Sequence, residues 1–288
     1  MNGNPAPIVA QFPLMSNQPC VVTTRRTGNQ KSTRRQFLRA LGVGVVGGTV
    51  CVAAKDTSAE PQDEATLVSQ HEIRTDNRVA RLQITIPRAR YRRVTDAENS
   101  FSETFAAARS QSYLTPVMSE IARRTPDRAS AIRAAQSLTA RITYISDEAS
   151  TGEFEYVRYP AETLVDECGD CEDKAILLAG LLSRSPLNCR TALLIVPHHC
   201  ATLVAREDVP SELLVADPIS VTLDGIKYVY VEAVGTVRPG EAARDYGSRP
   251  HVAAYDGRWT VLDTGVLLEW AEKVVDRRGL GIVGDVPI

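Results

Sequence analysis

The pattern of apolar and polar positions predicts both helices and strands in the chain after residue 77. Apolar residues in the segment 79–86 alternate in part with polar residues and stop at Pro87, which is the pattern of a strand. In later segments apolar residues recur every three or four positions, as they do on one face of a helix. This spacing predicts helices over residues 100–124 (with a break at Pro116), 125–142 and 170–182.

Short apolar runs in the second half of the chain predict β-structure. They indicate strands at about 190–196, 200–206 and 259–262, and a hairpin over 219–234 whose turn is Asp224-Gly225. The sequence further predicts a loop over 143–163 and a last helix from Asp263 or Thr264 to about Arg278. Because helices come first and antiparallel strands follow, the predicted fold class is α+β.

The first 54 residues differ from the rest of the chain in charge. They hold six basic residues and no acidic one, whereas residues 55–288 hold 27 basic and 35 acidic residues. The formal net charge of −2 is therefore the sum of +6 and −8. A chain without a basic excess lacks the usual signature of a nucleic-acid-binding protein. This uneven distribution of charge indicates a basic N-terminal leader followed by an acidic mature protein.

The leader has the order of an export signal. Residues 32–39, STRRQFLR, precede an apolar stretch of 15 residues that ends at Val52-Ala53-Ala54, a small-x-small cleavage pattern. The arginine pair resembles the twin-arginine signal, so we expect export to the cell envelope or beyond. As a helix the stretch is roughly 22 Å long, short of the ~30 Å hydrocarbon core. An uncleaved leader that anchors the chain at a membrane surface is the alternative.

The leader contains a glycine pattern that resembles a dinucleotide-binding motif but lacks its structural context. Residues 42–47, GVGVVG, match G-x-G-x-x-G, but a basic segment precedes them where that motif requires a strand. Dinucleotide binding is therefore not expected. The residues singled out below predict neither a cofactor nor a metal as the main interpretation. The domain organisation follows as 1–54 export signal, 55–77 flexible linker and 78–288 working domain, the last with a helical part at 100–145, a core at 150–240 and an extension at 241–288.

The stretch 159–182, YPAETLVDECGDCEDKAILLAGLL, carries the clearest chemical signal. Gly169 permits a turn, and Asp170 with Asp173 forms the pattern of a capping box before an apolar helix. Cys171 then lies in the first helical turn, where unpaired amides and the helix dipole favour a thiolate. The pattern predicts a cysteine nucleophile at a helix N-terminus.

A thiolate nucleophile requires a base and a group that orients the base. Two of the four histidines, His198 and His199, stand at the entrance to an apolar strand. Glu232 ends the Tyr-rich strand YVYVE, and neighbouring antiparallel strands would bring it beside His199. Asp217, in VADPIS, is the rival orienting acid, and His198 is the rival base.

These residues resemble the prokaryotic transglutaminase-like superfamily, whose members share a papain-like cysteine–histidine–acid arrangement. The resemblance covers about residues 78–240 and rests on LQITIP followed by Tyr91, Tyr159-Pro160, Glu162-Thr163-Leu164, Gly169-Asp170-Cys171-Glu172-Asp173, Pro197, His199 and Tyr228 to Glu232. It implies an α+β papain-like core with Cys171 as nucleophile, His199 as base and Glu232 as orienting acid. The implied reaction is cleavage or transfer of an amide or acyl group through a thioester, on a protein or peptide substrate.

The chain departs from the family pattern at three places, and other protein classes stay open. The departures are Cys168 before the nucleophile turn, Cys200 after the histidine, and Ala233-Val234 after Glu232. Cys168 and Cys171 form a C-x-x-C pair, which is compatible with redox chemistry, and a zinc site with Cys189 and a histidine is conceivable. A disulfide among Cys168, Cys189 and Cys200 and a catalytically inactive binding module on the same fold are further alternatives.

Overall fold

The computed structural model describes residues 65–75, 78–97, 99–196, 199–243 and 253–261, the last range without the side chains of 253–255 and 259–261. Within these ranges the fold is α+β, as the order of the elements predicts. The leader, the helix expected at 263–278 and His198 lie outside the described residues. Across the ranges given above, no helix combines the length and the apolar character needed to cross a bilayer.

Seven helices and ten strands are assigned in the described part of the chain. The helices are α1 Arg88–Thr95, α2 Phe101–Ser110, α3 Leu114–Arg123, α4 Arg128–Arg141, α5 Asp147–Thr151, α6 Pro160–Asp166 and α7 Cys171–Leu182. The strands are β1 Thr66–Thr75, β2 Arg78–Pro87, β3 Thr143–Tyr144, β4 Cys168–Gly169, β5 Thr191–Val196, β6 His199–Ala205, β7 Ser220–Leu223, β8 Ile226–Val231, β9 Ala253–Tyr255 and β10 Trp259–Val261.

Helix α7 is the centre of the fold. Every residue from Glu172 to Leu182 is buried, because the helix packs on β5 and β6 on one side and on α2, α3 and α4 on the other. The hydroxyl of Thr202 on β6 donates to the carbonyl of Ala175 at 2.9 Å and ties the strand to the helix. An apolar run of this kind is typical of a helix with no solvent-facing side.

The main sheet has six strands in the order β10-β9-β5-β6-β8-β7, and all of its pairs are antiparallel. Its two faces contribute to different apolar clusters, as alternation along a strand requires. Leu193, Val204 and Val229 join the large cluster around α7, whereas Leu194, Leu203 and Tyr230 join a smaller cluster on the opposite face. The Asp224-Gly225 turn predicted for the β7–β8 hairpin is confirmed, with φ of 46° and 78° at its two residues.

The linker prediction for 55–77 is wrong over residues 66–75. These residues form strand β1, which pairs antiparallel with β2 along ten residues. Its inward positions, such as Ile73 and His71, are buried, and the strand packs on α4. The polar composition misleads because only one face of a two-stranded ribbon is covered, so half of its residues remain polar.

Three details of the helical part differ from the prediction. The break falls at residues 111–113, and Pro116 lies in the first turn of α3, where its missing amide costs no hydrogen bond. Helix α4 begins after Asp127, whose side chain caps the amide of Ser130 at 2.7 Å. The segment 143–163, predicted as a loop, contains β3, α5 and the start of α6.

Candidate active site

Cys171 is the first residue of α7, as the sequence predicts, and both aspartates around it act as caps. The carboxylate of Asp173 accepts from the amide of Asp170 at 3.3 Å, and the Asp170 carboxylate receives the amide of Asp173 in return. Gly169 is needed for space, because a Cβ there would lie 2.7 Å from the Asp173 carboxylate. The turn therefore holds the cysteine at the exposed start of a buried helix.

The thiol of Cys171 has a carboxylate as its direct partner. Its sulfur donates to Oε2 of Glu172 at 3.2 Å. The carboxyl groups of Glu172 and Asp170 are neighbours. Burial is the largest cause that raises the pKa of both, and the contact between them raises the pKa of Asp170 further while it lowers that of Glu172. Two adjacent buried carboxyl groups that share a proton behave in this way.

The pKa of the Cys171 thiol is raised, contrary to the thiolate predicted from its place at a helix start. Burial is the largest cause, and the negative charges of Glu172 and Asp170 add to it. A hydrogen bond from the backbone amide of Cys200 acts in the opposite direction. The thiol is therefore protonated at rest and needs a base to become a nucleophile.

His199, Glu232 and Tyr230 form a buried hydrogen-bonded group at one end of the sheet. Nε2 of His199 lies 3.1 Å from Oε1 of Glu232 and 3.2 Å from the Tyr230 hydroxyl. That hydroxyl also donates to Oε2 of Glu232 at 2.8 Å. The predicted contact of His199 with Glu232 is present, whereas the part of Tyr230 is not evident from the sequence. The three side chains fix the plane of the imidazole ring.

The Glu232 carboxylate is almost completely enclosed by donors. The backbone amides of Ala233, Val234 and Ala243 point at its oxygens at 3.1 to 3.3 Å. Burial by itself raises the pKa of Glu232, but the hydrogen bonds and charge of His199 and the other donors lower it to about 2. Ala233 and Val234 therefore support the carboxylate through their backbone amides, without side-chain hydroxyl groups.

The register of the sheet brings His199 towards the start of α7. Strand β6 pairs antiparallel with β8, with Thr202 opposite Val231, so His199 and Glu232 lie at the same end of adjacent strands. Cys200 follows His199 directly and presents its amide to the Cys171 sulfur. The histidine strand and the nucleophile helix therefore meet at this end of the sheet.

A buried arginine holds the other side of the nucleophile turn. Nη1 of Arg158 lies 3.0 Å from Asp173 and 3.3 Å from Asp147, and Nη2 donates to Ser150 at 2.6 Å. The backbone amide of Arg158 also donates to Asp173 at 2.6 Å. The sequence reasoning missed this residue, although an arginine directly before the YP motif was visible. The positive charge of Arg158 therefore offsets the negative charges of the buried carboxylates of Asp147 and Asp173.

The structure describes one of the two alternative site residues, Asp217, and leaves the other, His198, outside the described ranges. Asp217 is exposed, on the segment that leads to β7, and Glu232 is the carboxylate that holds His199. The rival base His198 lies outside the described residues. The other described histidine, His71, is buried on β1 and contacts the carbonyl of Leu164 and the hydroxyl of Ser69.

The cysteines do not pair as the sequence alternatives suggest. Cys168 is disulfide-bonded, whereas Cys171, Cys189 and Cys200 are free thiols. A bridge within the C-x-x-C pair and a bridge among Cys168, Cys189 and Cys200 are therefore both excluded in this structure. A disulfide-bonded Cys168 also cannot serve as a thiolate ligand of zinc. The free state of Cys171 leaves its sulfur available for nucleophilic chemistry.

Several acidic groups near the turn have the donor atoms that a cation would use. Ligand atoms of Asp170, Cys171 and Glu172 lie within 4.8 Å of one another, as do those of Asp147 with Glu155 and Glu172. Arg158 and the backbone amide of Tyr156 already occupy Asp147, and the thiol occupies Glu172. Proximity alone does not identify these residues as metal ligands.

Comparison with known proteins gives no further assignment. No family model matches the chain, and no curated protein matches it either.

Proposed function

We propose that the protein is an exported, transglutaminase-like cysteine enzyme with a papain-like core, which cleaves or transfers an amide or acyl group of a protein or peptide. Cys171 is the nucleophile, His199 the base and Glu232 the acid that orients the base. The observation that carries the proposal is the buried His199–Glu232 contact of 3.1 Å, on a strand whose next amide faces the Cys171 sulfur. A histidine held by a carboxylate, one residue before the amide that faces a free thiol, supports the assignment of a catalytic triad.

In the proposed reaction, His199 removes the thiol proton as the Cys171 sulfur attacks the substrate carbonyl carbon. The new C–S bond gives a tetrahedral oxyanion, for which amides in the first turn of α7 are the nearest helix donors. The imidazolium then protonates the leaving amine, the C–N bond breaks, and a thioester remains on Cys171. Water or an amine attacks the thioester and restores the thiol.

The role of Glu232 in this scheme follows from its ionisation. With its pKa lowered to about 2, the carboxylate stays charged across the physiological range. It holds Nε2 of His199, so that Nδ1 is the nitrogen that exchanges the proton with sulfur. The same charge stabilises the imidazolium formed when the thiol proton is transferred.

Thiol labelling of the full chain tests this proposal. The measurement is the rate of iodoacetamide modification at each cysteine, mapped by mass spectrometry, for the wild type, Cys171→Ala and His199→Ala. We expect Cys171 to react faster than the buried thiols of Cys189 and Cys200, and His199→Ala to slow that reaction about tenfold. The matched controls are Cys189→Ala, which removes another free thiol, and His71→Ala, which removes another buried imidazole.

Equal labelling of Cys171 in the wild type and in His199→Ala would count against the triad. The alternative class is an inactive binding module on the same fold. The contact of the thiol with the Glu172 carboxylate favours it, because a carboxylate partner keeps the sulfur protonated. A binding module of that kind would bind a peptide but form no thioester on Cys171. Detection of the thioester therefore distinguishes the enzyme from the binding module.

A further inference from the structure

Lys174 is a buried cation that the proposed triad does not use. It is 1% exposed and lies one helical turn after Cys171, within the apolar part of α7. Residues three apart on a helix share a face, with Cβ atoms about 5–6 Å apart. The lysine therefore belongs to the same side of the helix as the nucleophile.

The surroundings of the Lys174 ammonium group are unusual for a buried charge. Nζ lies 5.8 Å from the centroid of the Tyr144 ring, a cation–π contact. Within the residues that the structure describes, no carboxylate lies within salt-bridge distance of Nζ and no hydrogen bond from it is found. Burial lowers the pKa of Lys174 to about 8, opposed by the negative charges of Glu232, Asp170, Cys171 and Asp173.

Tyr144 is fixed to the nucleophile turn by the backbone. Strand β3 pairs in parallel with β4, which places Tyr144 opposite Gly169, two residues before Cys171. The amide of Ile145 continues the contact by donating to the carbonyl of Gly169 at 3.3 Å. This pairing fixes the Tyr144 backbone to the nucleophile turn. The cation–π contact with the Tyr144 ring therefore keeps the Lys174 ammonium group near the start of α7.

A buried ammonium without an ion-pair partner destabilises a fold, because it loses hydration that a cation–π contact replaces only in part. Uncharged side chains of similar size, such as methionine, would fill the same space at lower cost. The groups that the positive charge stabilises are those whose negative charge acts on the ammonium: Glu232, Asp170, Asp173 and the ionised Cys171 sulfur.

We propose that Lys174 is a positioning residue for the nucleophile, whose ammonium group offsets the carboxylates around Cys171 and so allows the sulfur to become a thiolate. This inference rests on the proposed function only in taking Cys171 as the nucleophile. The positive charge acts through space and touches neither substrate nor sulfur.

The test compares the pH dependence of Cys171 alkylation by iodoacetamide in the wild type and in Lys174→Met, with thermal unfolding of both. At pH 7 we expect Lys174→Met to react about tenfold more slowly, because the loss of a unit charge one helical turn from the sulfur should raise the thiol pKa by about one unit. Its melting temperature should be equal or higher. The matched control is Lys227→Met, which removes an exposed lysine on β8 and should change neither quantity.

Charge and structure are separated by two further variants. Lys174→Arg keeps the charge and should retain at least a third of the wild-type rate. Tyr144→Leu alters a side chain that is 42% exposed and removes the ring that supports the ammonium, so the rate at pH 8 should fall at least twofold. This variant decides the matter if Lys174→Met does not fold.

Unchanged alkylation in Lys174→Met, or in Tyr144→Leu where the first variant is unfolded, would overturn the inference. A lower melting temperature with an unchanged rate would show a purely structural lysine and would overturn it as well. Failure of the proposed function looks different, since it leaves Cys171 without acyl transfer activity whatever the alkylation rates of these variants.

Discussion

Replacing Glu232 by glutamine should lower stability by an amount that depends on pH. The pKa of Glu232 is lowered from 4.5 to about 2, because His199, Tyr230 and three backbone amides favour its charged form over the cost of burial. A shift of about 2.5 units at 1.36 kcal/mol each corresponds to about 3 kcal/mol of folding free energy at neutral pH. Glutamine has the same shape and carries no charge, so the variant loses this contribution.

The sign follows from the lowered pKa in the folded state. The stabilisation is complete above pH 4.5 and is lost as the pH falls through 2, which leaves about 1 kcal/mol at pH 3. The assay is urea unfolding of the wild type and Glu232→Gln at pH 7 and pH 3. The deficit should shrink from about 3 to about 1 kcal/mol. A deficit that is the same at both pH values would refute the assignment of a charged, donor-enclosed carboxylate.

Three other predictions follow from the charges around Cys171. Glu172→Gln removes the carboxylate 3.2 Å from the sulfur and should raise the rate of Cys171 alkylation at pH 7 about tenfold, measured against Glu153→Gln as an exposed control. Arg158→Met leaves two buried carboxylates uncompensated and should cost about 3 kcal/mol or more in urea unfolding, whereas a loss under 1 kcal/mol would contradict the ion-pair assignment. The wild type should gain about 3 kcal/mol relative to Lys174→Met between pH 8 and 10.5, because its unfolded state then binds a proton that the folded lysine has lost.

The parts of the fold that the sequence predicts best are those with a strong periodic signal. Helix α7 and strands β5 and β6 lie within one residue of their predicted bounds, and the β7–β8 hairpin, residues 220–231, lies within the predicted range 219–234. A buried helix with a capping box and a two-residue Asp-Gly turn are encoded locally, so no distant contact is needed to find them. Strand β1 was missed because its exposed positions are polar and the helix that covers its inner face, α4, is distant in sequence, although its pairing partner β2 follows it directly.

In the candidate site, too, the features that depend on local sequence could be predicted, and those that depend on distant contacts could not. The positions of Cys171, His199 and Glu232 follow from one cap motif and two strands, and the proximity of His199 to Glu232 follows from antiparallel pairing. The raised thiol pKa could not be predicted, because the helix dipole is visible in the sequence whereas the enclosure of Glu172 and Asp170 is not. A lysine within the apolar run of α7 was the signal for Lys174, and its meaning depends on Tyr144, thirty residues earlier.

The proposed thioester on Cys171 can be measured directly. The full chain is mixed with p-nitrophenyl acetate, a general acyl donor, quenched in acid and analysed by intact mass and peptide mapping. The account predicts a hydroxylamine-labile acetyl group on Cys171 in the wild type and in Cys189→Ala, no such group in Cys171→Ala, and at least a hundredfold slower acylation in His199→Ala. An acetyl group that forms at the same rate without His199, or none on Cys171 in the wild type, would contradict it.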